Sequence, residues 1–279
     1  MKVISSNCSL PMQFQFMRCQ QVLAIDSCHL NGLYKGALLS VIAYDADNGM
    51  FLLALGMVNL ENYEEWYWFL NKLNEVLDGK KVVIISYRHE RILRSVFELF
   101  GIENHVYCYR HVKEKFVSFF NRQNIRGKKG KEDALLLLDN IAYARLDIDY
   151  NEAFEKLVRF KADLARWVME NSPEHRAMSK FFKKRWDKMK TNIVESFNAW
   201  LREECHQTIY TLLLMHMDKL VVMLDTYMCG TKKWKSVVGL KTKEKLMSNI
   251  MRSGLITVMP YLGGMFRVFI GEVYLVVDM

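Results

Sequence analysis

The chain has 279 residues, of which 51% are hydrophobic and 13% aromatic, so it is too apolar to be disordered and long enough to bury a large core. Its 39 Lys and Arg residues against 31 Asp and Glu residues give a formal charge of +8, which favours a polyanionic partner. No uncharged run reaches the roughly 18 residues of a membrane span, and the N-terminus has no apolar segment of signal-peptide length, so we expect neither a membrane-embedded nor a secreted protein.

The six cysteines are scattered along the chain without a C-x-x-C pair. A chain of this size does not need disulfides to hold its core together. We therefore expect reduced thiols, as in the cytosol or nucleus.

The first third of the chain begins with three strand-like apolar runs, at residues 21–25, 36–44 and 50–58. Asn48-Gly49 between the second and third runs is a strong hairpin signal. The pattern predicts a three-stranded antiparallel meander in which Asp26 ends the first strand. We interpret Asp45 and Asp47, beside the hairpin, as turn residues rather than metal ligands.

After the meander the apolar spacing becomes helical. The apolar positions are Trp66, Phe69, Leu70, Leu73 and Leu77. Asn62 is the expected N-cap, Glu65 is at the capping-box position and Gly79 is the expected terminator. Strands are predicted at 82–86 and 105–109 with a helix at 93–100 between them, so the order is β-β-β-α-β-α-β.

From residue 112 onward the pattern is mainly helical. Asn151 is the expected N-cap of a helix whose apolar face runs from Phe154 to Val168. Further helices are predicted around residues 193–201 and from about 209 to 228, and the residues from Met265 to Met279 revert to strand-like runs.

The order of these elements resembles a ribonuclease H-like core, and five short segments resemble the Mutator-like element (MULE, MuDR-type) transposase family of plants. The segments are DSCHLNG (26–32), WYWFL (66–70), IISYRHE (84–90), CYRH (108–111) and TNIVESFN (191–198). They occur in the family's order over roughly residues 10 to 279. Each motif is weak alone, but five in the right order rarely agree by accident.

The resemblance implies an α/β fold with a ribonuclease H-like core and a largely helical second half. It also implies a DDE set of three acids that bind two Mg²⁺ ions for DNA cleavage and strand transfer. By this resemblance Asp26 is the first catalytic, metal-binding acid and Glu195 is the third. Tyr87 occupies the position of the second acid, and a phenol with a pKa of about 10 is a poor ligand for Mg²⁺. Glu90, three residues later, is the alternative carboxylate.

The same resemblance places Cys108 and His111 in a C-x-x-H element, for which we expect a structural or site-positioning role. Two ligands are too few for a closed tetrahedral site, so zinc is not expected.

Two basic runs, at residues 110–131 and 176–190, predict contacts with nucleic-acid phosphates. The residues expected to make them are Lys128, Lys129, Lys131, Lys183, Lys184 and Arg185. A solvated face is the alternative for both runs, and residues 183–185 equally suit a nuclear import signal.

The resemblance also suggests a division of the chain. Residues 1–20 are an N-terminal remnant, 21–125 the first part of the transposase domain and 126–190 a basic helical insertion. Residues 191–230 hold the late core helix and the helix after it, and 231–279 form a truncated C-terminal region without the family's SWIM zinc finger.

We therefore expect a nuclear DNA-binding protein derived from a MULE transposase, in which Tyr87 has abolished cleavage. Its DNA partner would be the element's terminal inverted repeats or host sites, a homodimer is a further option, and no membrane partner is expected. The chain would be an element remnant or a host-recruited regulator, as in the related far-red-impaired-response family. The alternatives are an active Mg²⁺-dependent transposase and a protein-interaction module.

Overall fold

The computed structural model describes residues 3–5, 19–32, 34–45, 47–123, 128–184, 187–231, 239–254, 256–260, 265–270 and 273–278. The chain divides into two compact units, one made of residues 1–45 and 50–221 and the other of residues 46–49 and 222–279. No helix in the described part of the chain is both long enough and apolar enough to cross a membrane.

The first unit is built on a six-stranded mixed sheet. Its strands are β1 (Val3–Ser5), β2 (Gln20–His29), β3 (Ala37–Tyr44), β4 (Met50–Val58), β5 (Val83–Ser86) and β6 (His105–Tyr107), and their order is β1-β4-β3-β2-β5-β6. β2, β3 and β4 are antiparallel neighbours, which confirms the predicted meander. β5 is parallel to β2 and β6 is parallel to β5. The edge strand β1 has no counterpart in the sequence prediction.

Strand β2 is longer than its apolar run. Asp26 pairs with Ser40 of β3, and the pairing continues as far as His29. The prediction that Asp26 ends the strand was therefore wrong, because the ladder is made by backbone groups and continues where the side chains become polar. Asp26 lies inside the sheet.

Helix α1 (Tyr63–Leu77) connects β4 to β5 across one face of this sheet. The Asn62 side chain accepts a hydrogen bond from the Glu65 N–H at 2.9 Å, and the chain leaves the helix with positive φ angles at Asp78 (48°) and Gly79 (75°). The predicted start and end of the helix are thereby confirmed. Its apolar side, including Trp66, is buried in the main core.

The two faces of the sheet have different partners because alternate residues of a strand point to opposite sides. Leu23 and Ile25 pack in the core that includes α1. Val22 belongs to the opposite cluster, against which Ile193 packs. Asp26 follows Ile25, so its side chain belongs to this second face.

The first unit contains a helical region as well. Its helices are α2 (Glu90–Phe100), α3 (Tyr109–Arg122), α4 (Lys128–Tyr143), α5 (Asp147–Phe160), α6 (Ala162–Glu170) and α7 (Asn192–Trp200), followed by the first part of α8 (Ile209–Thr231). Helices α3 to α6 share an apolar core that includes Phe116, Leu138, Leu157 and Leu164.

The single helix predicted from Asn151 to Val168 was wrong in two respects. The N-cap is Leu146, five residues before the predicted cap, and extended backbone at Lys161 (φ −163°) separates α5 from α6. Val158, assigned to the buried face, is 43% exposed. The break gives α5 and α6 separate directions, so that each buries its own apolar side in the helical core.

The second unit contains helix α9 (Leu240–Ser253) and an antiparallel sheet of β7 (Thr257–Pro260), β8 (Met265–Ile270) and β9 (Val273–Asp278). The strand-like runs predicted after residue 265 are confirmed, whereas β7 has no counterpart in the prediction. Within this unit Asp47 accepts a hydrogen bond from the Thr242 N–H at 3.0 Å.

Candidate functional site

An open cleft of about 960 Å³ lies along the second half of β2, beside the first turns of α3 and the helix α7. Its lining is polar and carries both signs of charge. The lining residues are Asp26, Ser27, Cys28, His29, Asn31, Arg110, His111, Lys113, Glu114, Lys190, Asn192, Glu195, Ser196, Asn198, Ala199, Arg202, Cys205 and His206. The structure therefore brings the first and third predicted acids to one cleft.

Asp26 is held between the sheet and α7. Its Oδ2 accepts a hydrogen bond from Asn198 Nδ2 at 3.2 Å. Burial raises the pKa of Asp26 to about 6, and the negative charges of Glu195 and Glu61 act in the same direction, while His111 opposes them. The carboxyl is therefore close to its titration point in weakly acidic solution.

Tyr87 directly follows β5, which ends at Ser86. Its ring packs against the core on the α1 side of the sheet, and it is absent from the described lining of the cleft, although the charge of Asp26 reaches it. The Tyr87 hydroxyl donates a hydrogen bond to Glu61 Oε1 at 2.8 Å. Burial and this bond raise the pKa of Tyr87 above its ordinary value, so the phenol is neutral at physiological pH.

Glu61 is a site residue that the sequence reasoning missed. It lies in the loop before α1, and its Oε1 also accepts a hydrogen bond from Trp66 Nε1 at 3.2 Å. Nothing in its local sequence sets it apart from an ordinary acidic residue near a helix start; only the fold brings it to Tyr87. Glu90, the alternative carboxylate considered from the sequence, is exposed at the first turn of α2 and does not line the cleft.

Glu195 lies in the first turn of α7. One carboxylate oxygen, Oε2, is ion-paired with Arg110 Nη1. The other, Oε1, accepts a hydrogen bond from Thr191 Oγ1 at 3.0 Å. Two separate interactions therefore fix the orientation of this carboxylate.

Cys108 and His111 lie at the start of α3, and Cys108 is fully buried. Cys108 Sγ accepts a hydrogen bond from Thr191 N at 3.3 Å and lies 3.1 Å from Thr191 Oγ1, whose single hydroxyl hydrogen it shares with Glu195 Oε1. Burial raises the pKa of Cys108, but its interactions with His111 and Thr191 outweigh burial and leave the pKa below its ordinary value. The pKa of His111 is raised, chiefly by Cys108.

The His111 ring also contacts the second-acid position. Its centroid lies 5.7 Å from that of Tyr87, and its Nδ1 is buried without a hydrogen-bond partner among the described residues. The Cys108 sulfur, a ring nitrogen of His111 and a carboxylate oxygen of Glu195 all lie within 4.8 Å of one another.

The predicted nucleic-acid contacts do not coincide with the cleft. Lys129, Lys131, Lys183 and Lys184 are absent from its described lining, and Lys183 is 3.7 Å from Glu103 in an ion pair. Of Lys128 only the backbone is described, and Arg185 lies outside the described residues.

Four cations line the described part of the cleft: Arg110, Lys113 and Lys190, which belong to the two predicted basic runs, and Arg202. Arg110 is paired with Glu114 and Lys113 with Asp139. The sequence reasoning did not single out Arg202, which lies just beyond α7.

The donor set at Asp26, Tyr87 and Glu195 does not fit a pair of Mg²⁺ ions. Two such ions require carboxylates that bridge them, and Mg²⁺ prefers anionic oxygen ligands. The position expected for the second acid presents a neutral phenol whose hydroxyl donates to Glu61, so it offers no anionic oxygen.

Comparison with protein families supplies an independent finding. Residues 22–115 match the family model of the MULE transposase domain. The match includes β2 to the middle of α3, and hence Asp26, Tyr87, Cys108 and His111, whereas Glu195 lies outside it. A comparison with curated proteins found no match.

Proposed function

The chain carries a MULE transposase domain over residues 22–115 and is related to Mutator-like transposases, and from this relation we propose that it is a transposase-derived DNA-binding protein that no longer cleaves DNA. The observation that carries the proposal is the environment of Tyr87. A neutral phenol stands where the resemblance expects the second acid, and its hydroxyl is engaged by Glu61 at 2.8 Å.

The fold inferred for this protein is ribonuclease H-like. Three features support it: the antiparallel order of β2, β3 and β4, the helix α1 leading to β5, and the parallel strands β5 and β6 beside β2. The helix α7 adds Glu195 to the face of the sheet that carries Asp26. These positions correspond to those expected for the three acids of a DDE set.

The loss of cleavage follows from the chemistry of phosphodiester hydrolysis. Metal-assisted cleavage uses two ions held by shared carboxylates to stabilise the attacking and leaving oxygens. Asp26 and Glu195, with a phenol at the position expected for the second acid, do not provide that set.

DNA binding is supported by charge. Lys190 and Arg202 line the cleft and have no ion-pair partner among the residues that the structure describes, so both are available to phosphates. Arg110 and Lys113 add positive charge that acids partly offset. Contacts of this type give binding that is independent of base sequence and weakens steeply with salt. Terminal inverted repeats, host sites, homodimer formation and nuclear localisation stay predictions from the sequence.

The proposal is tested by restoring the second acid. Wild-type protein, Tyr87→Asp and the uncharged control Tyr87→Asn are compared for Mg²⁺ binding by calorimetry and for nicking of supercoiled plasmid. We expect Mg²⁺ binding and nicking only from Tyr87→Asp. Nicking by the wild type that is abolished by Glu61→Gln would overturn the proposal and make Glu61 the working second carboxylate.

Binding is tested separately by fluorescence anisotropy with a labelled DNA duplex over a range of salt concentrations. Replacing Lys190 and Arg202 by alanine should lower affinity and reduce the slope of log affinity against log salt by about 2, one unit per phosphate contact. The control replaces Lys72 and Lys156, exposed lysines paired with acids on α1 and α5. Equal effects of both double variants would show that the cleft is not the binding surface.

A further inference from the structure

A second kind of metal chemistry is available at the edge of the cleft, where a thiol, an imidazole and a carboxylate converge. Cys108 and His111 are three residues apart at the start of α3, so the helix directs both side chains to one side. Glu195 reaches them from α7. The three ligating atoms lie within 4.8 Å of one another.

The donor types decide which ions the cluster suits. Mg²⁺ and Ca²⁺ take oxygen ligands almost exclusively. A sulfur, a nitrogen and an oxygen donor together are a set for Zn²⁺, which accepts Cys, His and Glu in tetrahedral sites. The sequence expectation against zinc rested on the two ligands of the C-x-x-H element, and the fold adds a third donor from 84 residues further along the chain.

The surroundings of the three side chains are those of an organised site. Thr191 donates its backbone N–H to Cys108 Sγ at 3.3 Å, and its hydroxyl lies between Cys108 Sγ at 3.1 Å and Glu195 Oε1 at 3.0 Å, so it contacts two of the three side chains. Outer hydrogen bonds of this kind orient metal ligands. His111 Nδ1 is buried without a hydrogen-bond partner among the described residues, and a buried ring nitrogen of this kind is costly unless something binds it.

We propose that Cys108, His111 and Glu195 bind one Zn²⁺ ion, with a fourth coordination position open to the cleft. His111 and Glu195 both line the cleft, so the open position faces solvent or a phosphate oxygen of bound DNA. Arg110 contacts Oε2 of Glu195, and Oε1, which also contacts the Thr191 hydroxyl at 3.0 Å, has a second lone pair for the ion. The inference does not depend on DNA binding or on loss of cleavage, because it concerns metal affinity alone.

The test uses Co²⁺ as a spectroscopic probe for the zinc site. Full-length protein is stripped with a chelator and titrated with Co²⁺, and absorption from thiolate-to-cobalt charge transfer is recorded. We expect one equivalent to bind, the band to saturate, and Zn²⁺ to displace the cobalt stoichiometrically. Cys108→Ser should abolish the band, and Glu195→Gln should retain it while weakening Zn²⁺ binding about 10-fold or more.

The matched control is Cys205→Ser. Cys205 also lines the cleft, 3.5 Å from Cys28 Sγ to Sγ, and its replacement should leave the band unchanged. Absence of stoichiometric binding by the wild type, survival of the band in Cys108→Ser, or its loss in Cys205→Ser would each overturn the inference. If Cys108→Ser does not fold by circular dichroism, Glu195→Gln decides: unchanged Zn²⁺ affinity in that variant contradicts the site.

Discussion

Asp26 illustrates at the scale of one residue how the fold changes the chemistry of a side chain. In the sequence it is the first polar residue after an apolar run. In the fold it lies within β2, covered by α7 and close to the negative charges of Glu61 and Glu195. The cost of keeping this carboxyl ionised out of water is what raises its pKa to about 6.

That cost predicts the behaviour of Asp26→Asn. Folding raises the pKa of Asp26 from 3.8 to about 6, so between these pH values the folded state binds more protons than the unfolded chain. The contribution of this group to the free energy of unfolding is therefore lost as pH rises from about 4 through 6. Asparagine removes the charge and can still accept the bond from Asn198. We expect the free energy of unfolding at pH 8 to rise by about 1–3 kcal/mol.

Urea unfolding of the wild type and of Asp26→Asn at pH 8 and near pH 4 measures this difference. The gain should be much smaller near pH 4, where the wild-type carboxyl is protonated in the folded state and close to its titration point in the unfolded chain. A variant less stable than the wild type at pH 8 contradicts the explanation.

At the scale of one element, helix α1 begins at a cap that the sequence predicts and lies next to a contact, that of Glu61 with Tyr87, that the sequence does not predict. Its N-cap, Asn62, was evident from the sequence and is confirmed by the bond from the Glu65 N–H. Glu61, the residue before the cap, is held by hydrogen bonds from Trp66 of the same helix and from Tyr87 beyond β5. The start of this helix therefore positions a carboxylate beside Tyr87.

Removing the Asn62 side chain should weaken the start of α1 and, with it, the placement of Glu61. Asn62→Ala leaves the Glu65 N–H without its side-chain acceptor, and we expect the free energy of unfolding to fall by about 1 kcal/mol. Asn62→Asp keeps the acceptor and adds a negative charge at the helix start, so it should match the wild type within about 0.5 kcal/mol. Urea unfolding at pH 7 compares the three proteins, and equal losses in both variants would show that capping is not the cause.

At the scale of the whole molecule, two buried histidines make the folded state sensitive to acid. His105 is fully buried and its pKa is lowered to about 3 by burial and by the charge of His175. His216 on α8 is also buried, and burial lowers its pKa to about 4, with Lys219 acting in the same direction. Both are neutral in the folded state throughout the physiological range.

The sign of the pH dependence follows from these lowered pKa values. Below pH 6.5 the unfolded chain protonates both histidines and the folded chain does not, so stability falls by about 1.4 kcal/mol per pH unit for each, partly offset by the opposite contribution of Asp26. His216→Leu should remove one of these contributions and flatten the profile between pH 6.5 and 4. Neither ring nitrogen of His216 has a hydrogen-bond partner among the described residues, so no bond is lost.

Thermal or urea unfolding of His216→Leu across this pH range measures the slope. The exposed His29→Gln serves as the control and should leave the slope unchanged. An unaltered slope in His216→Leu would mean that this ring is protonated in the folded state.

The predictions were correct where a feature depends on residues close together in the sequence, and they failed where it depends on residues far apart in the sequence. The meander β2 to β4, the helix α1 with its cap and the strands β5 and β6 were predicted from apolar spacing and turn residues, which act over a few positions. The division of α5 from α6 at Lys161 and the pairing of β1 with β4 were not, because each depends on a partner distant in sequence.

The sequence by itself determined the α/β layout of the first half of the chain and the motifs that relate it to Mutator-like transposases, because local periodicity and short motifs are written in neighbouring residues. Only the tertiary structure decided which side chains meet. It brought Glu61 to Tyr87, Asn198 to Asp26, and Glu195 to Cys108 and His111. These contacts join residues 26 to 172 positions apart, and the packing of helices on a sheet, rather than any local pattern, is what creates them.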